Sequence, residues 1–387
     1  MHLVDITMFH AAQGGGVSTY INAKARWFAT HHSGIRHTVF SPNLNLAPDP
    51  AADPASVQVP VRPIPGMALP GIHGYRMPLS VRTPARRLLA VHPDLVEAGD
   101  AGHCAWAALR LQQRHGVPAV AFYHSDFPSL VQRRLGRTAA RAVQRYVAHL
   151  YRQFDLVLAP SRLMVRRLGE LGVDSAIHQP LGIDSTLFHP QQRSLDLRGQ
   201  LGLAPGTRLL VYAGRFTAEK KLALLFDAVH RLGAPYHLLL IGGGAPVPAS
   251  RQITRLPFQR DQRQLAQLLA SSDMLVHPGD CETFGLIVLE AMACALPVVA
   301  SNGGGVAELV DSGSGILAHP DSVASLAEAI AAMYEGDMET MGAHARKRAQ
   351  EQYDWQQVLP QLLERYRGVL AGRGYAQPAR NRVCISD

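Results

Sequence analysis

Two carboxylates stand eight residues apart in HPGDCETFGLIVLEAMACALPVV: Glu282 just after an apolar strand-like run, Glu290 inside an apolar helical one. They are too far apart for a simple acid–base dyad. The spacing predicts a helix beginning near Phe284, with one glutamate at its start and the other two turns on. Both would then share one face and accept hydrogen bonds from hydroxyls, such as those of sugars and riboses. Glu290 lies between Leu289 and Ala291, and a buried carboxylate needs partners. Arg215 and Lys220 follow another apolar run in YAGRFTAEKK. At the carboxyl end of a parallel strand, an arginine fork plus a lysine point charge suits a diphosphate. The plain alternative is a solvated basic loop in which Lys220 pairs with Glu219. Gly14-Gly15-Gly16 follows the first apolar run and precedes a helical pattern from Val17. Helix N-terminal amides attract phosphate, and glycines let backbone approach a ligand. A tight turn with no ligand explains three glycines equally well. His124, in YHSD, ends a further apolar run and would reach a sugar hydroxyl or serve structure alone. Gly303–Gly305 is one more tight strand-to-helix turn.

Positioning these residues requires alternating strands and helices. Short apolar runs at Leu3–Phe9, Thr38–Phe40, Leu95–Ala98, Ala119–Tyr123 and Leu156–Ala159 predict parallel strands in the first half. Leu209–Ala213, His237–Ile241, Met274–His277 and Pro297–Ala300 predict them in the second. Pro42 to Pro84 is rich in proline, including Pro48, Pro50, Pro54, Pro60, Pro63, Pro65, Pro70 and Pro78. It therefore reads as a long loop, since proline removes ladder donors. The best boundary is near LGIDSTLFHP, giving domains 1–185 and 186–354. Residues 355–387 hold a periodic helix, Trp355–Leu370, able to return to the first domain, plus a tail.

Composition bounds the function. At 387 residues, with 47% apolar and 18% charged residues, the chain is ordinary globular protein of about two domains. The net charge is +8, and residues 1–190 carry all of it: 19 Lys and Arg against 11 Asp and Glu, with 19 against 19 beyond. A basic half suggests an anionic partner. The four cysteines form no CxxC, and no HExxH occurs, which argues against a zinc site. MHLVDITMF lacks the features of a signal peptide, and Leu286–Ala300, broken by Glu290 and Pro297, is too short to span a membrane. A nicotinamide-dependent oxidoreductase would show GxGxxG and a following acidic residue; neither is present. A nucleic-acid-binding protein would interleave aromatics with its basic residues, yet aromatics are 6%.

Taken together, these segments resemble glycosyltransferase family 4, retaining enzymes whose hallmark is two glutamates separated by seven residues, here E-TFGLIVL-E. The resemblance spans nearly the whole chain. GGGVSTY, YHSDFPSL, APSRLM, LGIDSTLFHP, YAGRFTAEKKLALLFDAV and EAMACALPVVASNGGGVAELV occur in the family's order. It implies an α/β chain of the GT-B fold: two Rossmann-like, doubly wound domains facing a central cleft. The N-terminal one would bind the acceptor and the C-terminal one the nucleotide sugar. It further implies that Arg215 and Lys220 contact the donor diphosphate. Glu282 would face the sugar hydroxyls, with Phe284 and Gly285 supplying amides and Thr283 in the same donor-binding segment. Glu290 would bind the ribose, Gly15 and Gly16 would approach the diphosphate, and His124 would lie by the reacting sugar. Arg215, Lys220, Glu282 and His124 would thus be the catalytic set. The presence of Arg215, Lys220, Glu282 and Glu290 together argues against a non-catalytic relative. Lys221 departs from the family pattern, where Asn or Gly is commoner.

The reaction so implied moves a hexose from a nucleotide-diphosphate sugar, GDP-mannose or a UDP-hexose, to a hydroxyl acceptor, a lipid or a cell-envelope glycan. HSDFP tilts the reading toward a mannosyltransferase. Cations must meet the charge growing on the departing diphosphate. No D-x-D occurs in the chain, so no metal and no cofactor is expected; the nucleotide sugar is a substrate. Arg133, Arg134, Arg137, Arg141, Arg145 and Arg152 recur at helical spacing near Phe127, Leu130 and Leu135, with Arg82, Arg86 and Arg87 a second cluster. An anionic membrane surface is the expected partner for this face, a solvated arginine face being the alternative. A cytoplasmic protein, peripheral on the inner face of the plasma membrane, would follow.

Overall fold

The computed structural model describes residues 1–11, 15–43, 61–68, 75–194 and 196–372. In chain order the first strands are β1 (His2–Ile6), β2 (Arg36–Ser41), β3 (Val61–Pro63), β4 (Gly66–Ala68), β5 (Arg76–Pro78), β6 (Leu95–Ala98), β7 (Ala119–Phe122), β8 (Leu156–Ala159) and β9 (Ala176–His178). Seven of them form a sheet in the order β3-β2-β1-β6-β7-β8-β9, and each adjacent pair is parallel. β4 and β5 pair antiparallel beside it. The central strands β1, β6, β7 and β8 are buried along their whole length, which is why they read as unbroken apolar runs.

The second sheet uses β10 (Arg208–Phe216), β11 (Tyr236–Gly244), β12 (Ile253–Leu256), β13 (Met274–His277), β14 (Val298–Ser301) and β15 (Gly315–Ala318). Their order is β12-β11-β10-β13-β14-β15, again parallel throughout. Both sheets reverse direction beside their first strand, between β1 and β6 and between β10 and β13. Open α/β sheets bind ligands outside the carboxyl ends of strands at such switch points.

The chain divides into two compact units: Met1–Gln179 with the chain from Leu359 onward, and Pro180–Val358. The first crossing comes at Gln179 rather than at 185 because the Gln179 backbone amide still donates to the carbonyl of Ala159, the last residue of β8. Ile183, by contrast, exchanges backbone hydrogen bonds with Tyr353 and Trp355. Helix Trp355–Leu370 starts in the second unit and ends in the first.

Two expectations need correction. The Pro42–Pro84 segment is not all loop. It adds the edge strand β3 and the β4–β5 hairpin, with Pro63 on the sheet edge, where proline is tolerated; residues 44–60 and 69–74 lie outside the described residues. The arginine-rich helix, Phe127–Tyr151, is broken at Gly136 (φ 80°, ψ −179°). Arg133 and Arg134 therefore belong to a different helical piece from Arg137, Arg141 and Arg145. Arg152 caps that helix and is exposed, with its guanidinium donating to the carbonyls of Leu171 and Gly172. Among the described residues no helix is long and apolar enough to cross a membrane.

Candidate active site

Most of the expected residues lie in the second unit, around its switch point. β10 runs on through Gly214 and Arg215 to Phe216, paired to β11 along its length. Arg215 is exposed there, and its carbonyl accepts from the Tyr212 hydroxyl at 3.2 Å. A 3-10 turn, Ala218–Lys220, follows. The neighbouring strand β13 delivers the loop 278–285. The two loops meet backbone to backbone: a Cβ added at Gly279 would sit 3.2 Å from the Glu219 carbonyl oxygen.

Lys220 pairs with Glu282 across this junction, and Glu219 instead accepts from Thr217 at 2.7 Å. Lys220 therefore does not pair with Glu219, while Arg215 stays on the exposed side of the loop. His277 Nε2 lies 3.5 Å from the same oxygen, Glu282 Oε1. Burial opposes the charge on Glu282, but the Lys220 cation and the His277 contact outweigh it and hold the carboxyl well below its ordinary range. A carboxylate so acidic is a poor base near neutral pH and a good hydrogen-bond acceptor.

Phe284 does not open the following helix. It is buried and packs edge-on against Tyr353, ring centroids 6.1 Å apart. Gly285, left-handed at φ 109°, caps helix Leu286–Ala293 instead. That turn breaks the helical path, so Glu282 and Thr283 stand in the loop and only Glu290 is on the helix. The one-face reading of the two glutamates is corrected accordingly. Glu290 is 8% exposed, and its carboxyl has no hydrogen bond or ion pair among the described residues. Burial alone raises its carboxyl to about 7. A buried carboxyl without partners is costly, and hydroxyl donors from a ligand would relieve it.

Three expected residues, Gly15, Gly16 and His124, belong to the first unit. Gly15 caps helix Gly16–His31 and is exposed, and a Cβ there would meet nothing within 4 Å. The protein's own packing does not demand glycine at this position. Gly14 lies outside the described residues. His124 follows β7, its ring stacked on Phe122 at 4.2 Å and 5.4 Å from Tyr20. Burial, reinforced by the Lys24 cation, lowers it to about 3, so it is neutral at physiological pH, with one N–H to donate. Below it runs a buried charge cluster. Lys24 reaches Asp5 at 2.8 Å and Glu97 at 2.9 Å. The Tyr20 and Tyr366 hydroxyls donate to Glu97, and His37 contacts Asp5 at 2.9 Å.

Two contributors were missed in the sequence. His277 is a lone histidine ending β13; its place at the carboxyl end of a parallel strand was the available signal. The glycines 303–305 form a bed for the Glu282 loop rather than a mere turn. The Gly305 amide donates to the Glu282 carbonyl at 2.7 Å. A Cβ at Gly305 would lie 2.3 Å from the Thr283 carbonyl oxygen, and one at Gly304, φ 64°, 2.8 Å from that of Glu282.

Known proteins are similar to this chain in sequence and in fold. Residues 14–186 match the family model described as Glycosyltransferase Family 4, and residues 207–336 the one described as Glycosyl transferases group 1. The chain is 29% identical over 381 residues to a GDP-mannose-dependent alpha-(1-6)-phosphatidylinositol dimannoside mannosyltransferase of Mycobacterium tuberculosis, covering 94% of this chain and 95% of that one. It is 30% identical to a GDP-mannose-dependent alpha-mannosyltransferase of Mycolicibacterium smegmatis, covering 85% and 89%. Among solved structures it resembles sucrose-phosphate synthase from Thermosynechococcus elongatus (TM-score 0.77, 22% identity, covering 96% and 100%). Anabaena HepE in complex with UDP-glucose is a second (TM-score 0.74, 21% identity, covering 95% and 100%). The two Rossmann-like units are those of the GT-B fold, and the chain is a glycosyltransferase that belongs to glycosyltransferase family 4.

Proposed function

We propose that this enzyme transfers a hexose, mannose from GDP-mannose being the first candidate, to a hydroxyl of a lipid or cell-envelope glycan, with retention and without a metal. The observation that carries the reading is the junction of Lys220 and Glu282 at the switch point, with the unpartnered Glu290 on the helix that follows. Lys220 and the exposed Arg215 supply positive charge for a diphosphate leaving group, the service a divalent cation would otherwise give. Glu282, held ionised, accepts from sugar hydroxyls and does not abstract a proton. The acceptor's proton then passes to the leaving phosphate, so attack and departure share one face of the sugar and configuration is kept. Glu290 accepts from the ribose. In the first unit, the open helix N-terminus at Gly15 and Gly16 suits a phosphate, and neutral His124 donates to a sugar hydroxyl. The names of the two mycobacterial relatives favour GDP-mannose; the UDP-glucose complex of HepE keeps UDP sugars in the test. A membrane partner rests on the exposed Phe127, Leu130 and Leu135 beside the exposed Arg133, Arg134 and Arg137.

Thermal denaturation with GDP, UDP and ADP, then GDP-mannose and UDP-glucose, tests the donor. A nucleotide at 100 times its Kd stabilises by about 2.7 kcal/mol. GDP and GDP-mannose are expected to raise Tm in wild type and to lose most of the effect in Lys220→Ala. No response to any nucleotide would overturn the reading.

A further inference from the structure

Lys221 occupies a position that disfavours it. Its backbone is left-handed at φ 51°, capping helix Leu222–Leu232, a conformation in which Gly and Asn are far more at ease. Its side chain is nonetheless put to use. Nζ lies 2.6 Å from Asp280 Oδ2 and 2.5 Å from Asp321 Oδ1. The two arms are unequal. Asp321 is 71% exposed, so that contact is screened. Lys221 and Asp280 are 15% and 16% exposed, and their contact joins the two loops of the switch point. Asp280 is two residues before Glu282, and Lys221 follows Lys220. Two successive lysines therefore grip alternate residues of one loop, Asp280 and Glu282. Asp280 is also packed against glycines: a Cβ at Gly303 would lie 2.7 Å from the Asp280 Cβ. Held by Lys221 at its carboxylate and by the close backbone of Gly303 at its Cβ, Asp280 has little room to shift.

We propose that Lys221 is a positioning residue for glycosyl transfer. It acts through Asp280 to hold the loop so that Glu282 meets Lys220 before the donor arrives, leaving Lys220 to the substrate's phosphate when it binds. The inference rests on the proposed roles of Lys220 and Glu282.

Lys221→Met keeps the stem and removes the charge; Lys221→Asn suits the left-handed backbone and cannot reach Asp280; Lys221→Arg retains a cation. Amide hydrogen exchange of the free protein and release of GDP from GDP-mannose or UDP from UDP-glucose are measured for each, with Asp280→Asn and the double variants. In Met and Asn variants, exchange across 279–285 should rise about tenfold with the rest of the second unit unchanged. kcat should fall about 10- to 100-fold, a misplacement effect, while KM for the sugar nucleotide moves less than about threefold. Arg should restore most of both, and Asp280→Asn should add nothing to Lys221→Met. Unchanged exchange in 279–285, a uniform rise over the unit, or additive losses with Asp280→Asn would overturn the proposal. Lys220→Ala separates the two readings. If it turns over normally, the site assignment fails; if it is inactive while Lys221→Met and Lys221→Asn match wild type, only the positioning role fails. Should neither nucleotide sugar be consumed, the proposed function falls, and exchange decides whether Lys221 holds the loop.

Discussion

Glu290→Gln should make the protein more stable and a worse enzyme, with a pH dependence that identifies the cause. Burial lifts the Glu290 carboxyl from its usual 4.5 to about 7 in the folded chain. In the unfolded chain the proton leaves near 4.5. Between those values folding retains a proton that unfolding releases, so stability falls as pH rises from about 4.5 through 7 and is level above. At 1.36 kcal/mol per pH unit, the cost of ionising the buried group is about 3 kcal/mol at pH 8.5 and small at pH 5. Glutamine keeps the shape and never ionises. The variant should therefore match wild type at pH 5 and exceed it by about 3 kcal/mol at pH 8.5. At roughly 2–4 °C per kcal/mol for a unit of this size, that is about 6–12 °C in Tm. Urea denaturation and thermal scans at both pH values, without nucleotide, make the measurement. In the same variant, stabilisation by GDP or UDP should shrink, since a neutral amide is a weaker acceptor for ribose hydroxyls. If the stability gain is the same at both pH values, or absent at 8.5, then Glu290 is solvated or partnered and the reasoning is wrong.

Other expectations follow from the same contacts. Lys220→Ala should lower transfer about 10²–10³-fold in kcat/KM while the far-ultraviolet circular dichroism stays native. Gly305→Ala places a methyl against the Thr283 carbonyl; it should cost about 1–3 kcal/mol in urea denaturation and depress kcat by displacing Glu282. Lys24→Met leaves Asp5 and Glu97 buried without their cation and should destabilise by about 3–5 kcal/mol at pH 7, read by the same denaturation. Flotation with phosphatidylserine-containing vesicles should capture the protein at low salt, and Arg133→Glu with Arg137→Glu should release it. No capture by wild type would remove the membrane partner.

What the sequence made legible follows burial. Central strands such as β7 and β13 are apolar from end to end because both faces are covered, and a reader of runs finds them. Of the strands that were missed, β3, β9, β12 and β15 each stand at the edge of a large sheet, β4 and β5 form a two-stranded sheet of their own, and all are only partly buried; one covered face leaves no continuous apolar run. The site followed the same logic. Glu290 was conspicuous as a charge inside an apolar helix. His277 was not, because a histidine closing an apolar strand looks unremarkable until Glu282 is set beside it. The tie between Lys221 and Asp280 joins residues 59 positions apart, and only the β10–β13 adjacency brings them together. Helix phase failed at Gly136 and at Gly285, where a single left-handed glycine reset it.

The buried hydroxyl of Tyr366 has a consequence for how the molecule is made. Residues 180–358 are contiguous and can close on themselves as soon as they leave the ribosome. The first unit cannot, because Glu97 and Lys24 wait for a partner synthesised more than 260 residues after Glu97. Until helix Trp355–Leu370 arrives, the sheet of the first unit carries a charge cluster short of one hydroxyl and an uncovered patch where Tyr366 will sit. The order of synthesis and the order of completion are thus opposite: the second unit has all its residues before the first does. Exposure of that unfinished unit grows with the pause before helix Trp355–Leu370, so slow translation over the second unit would be paid for by aggregation of the first.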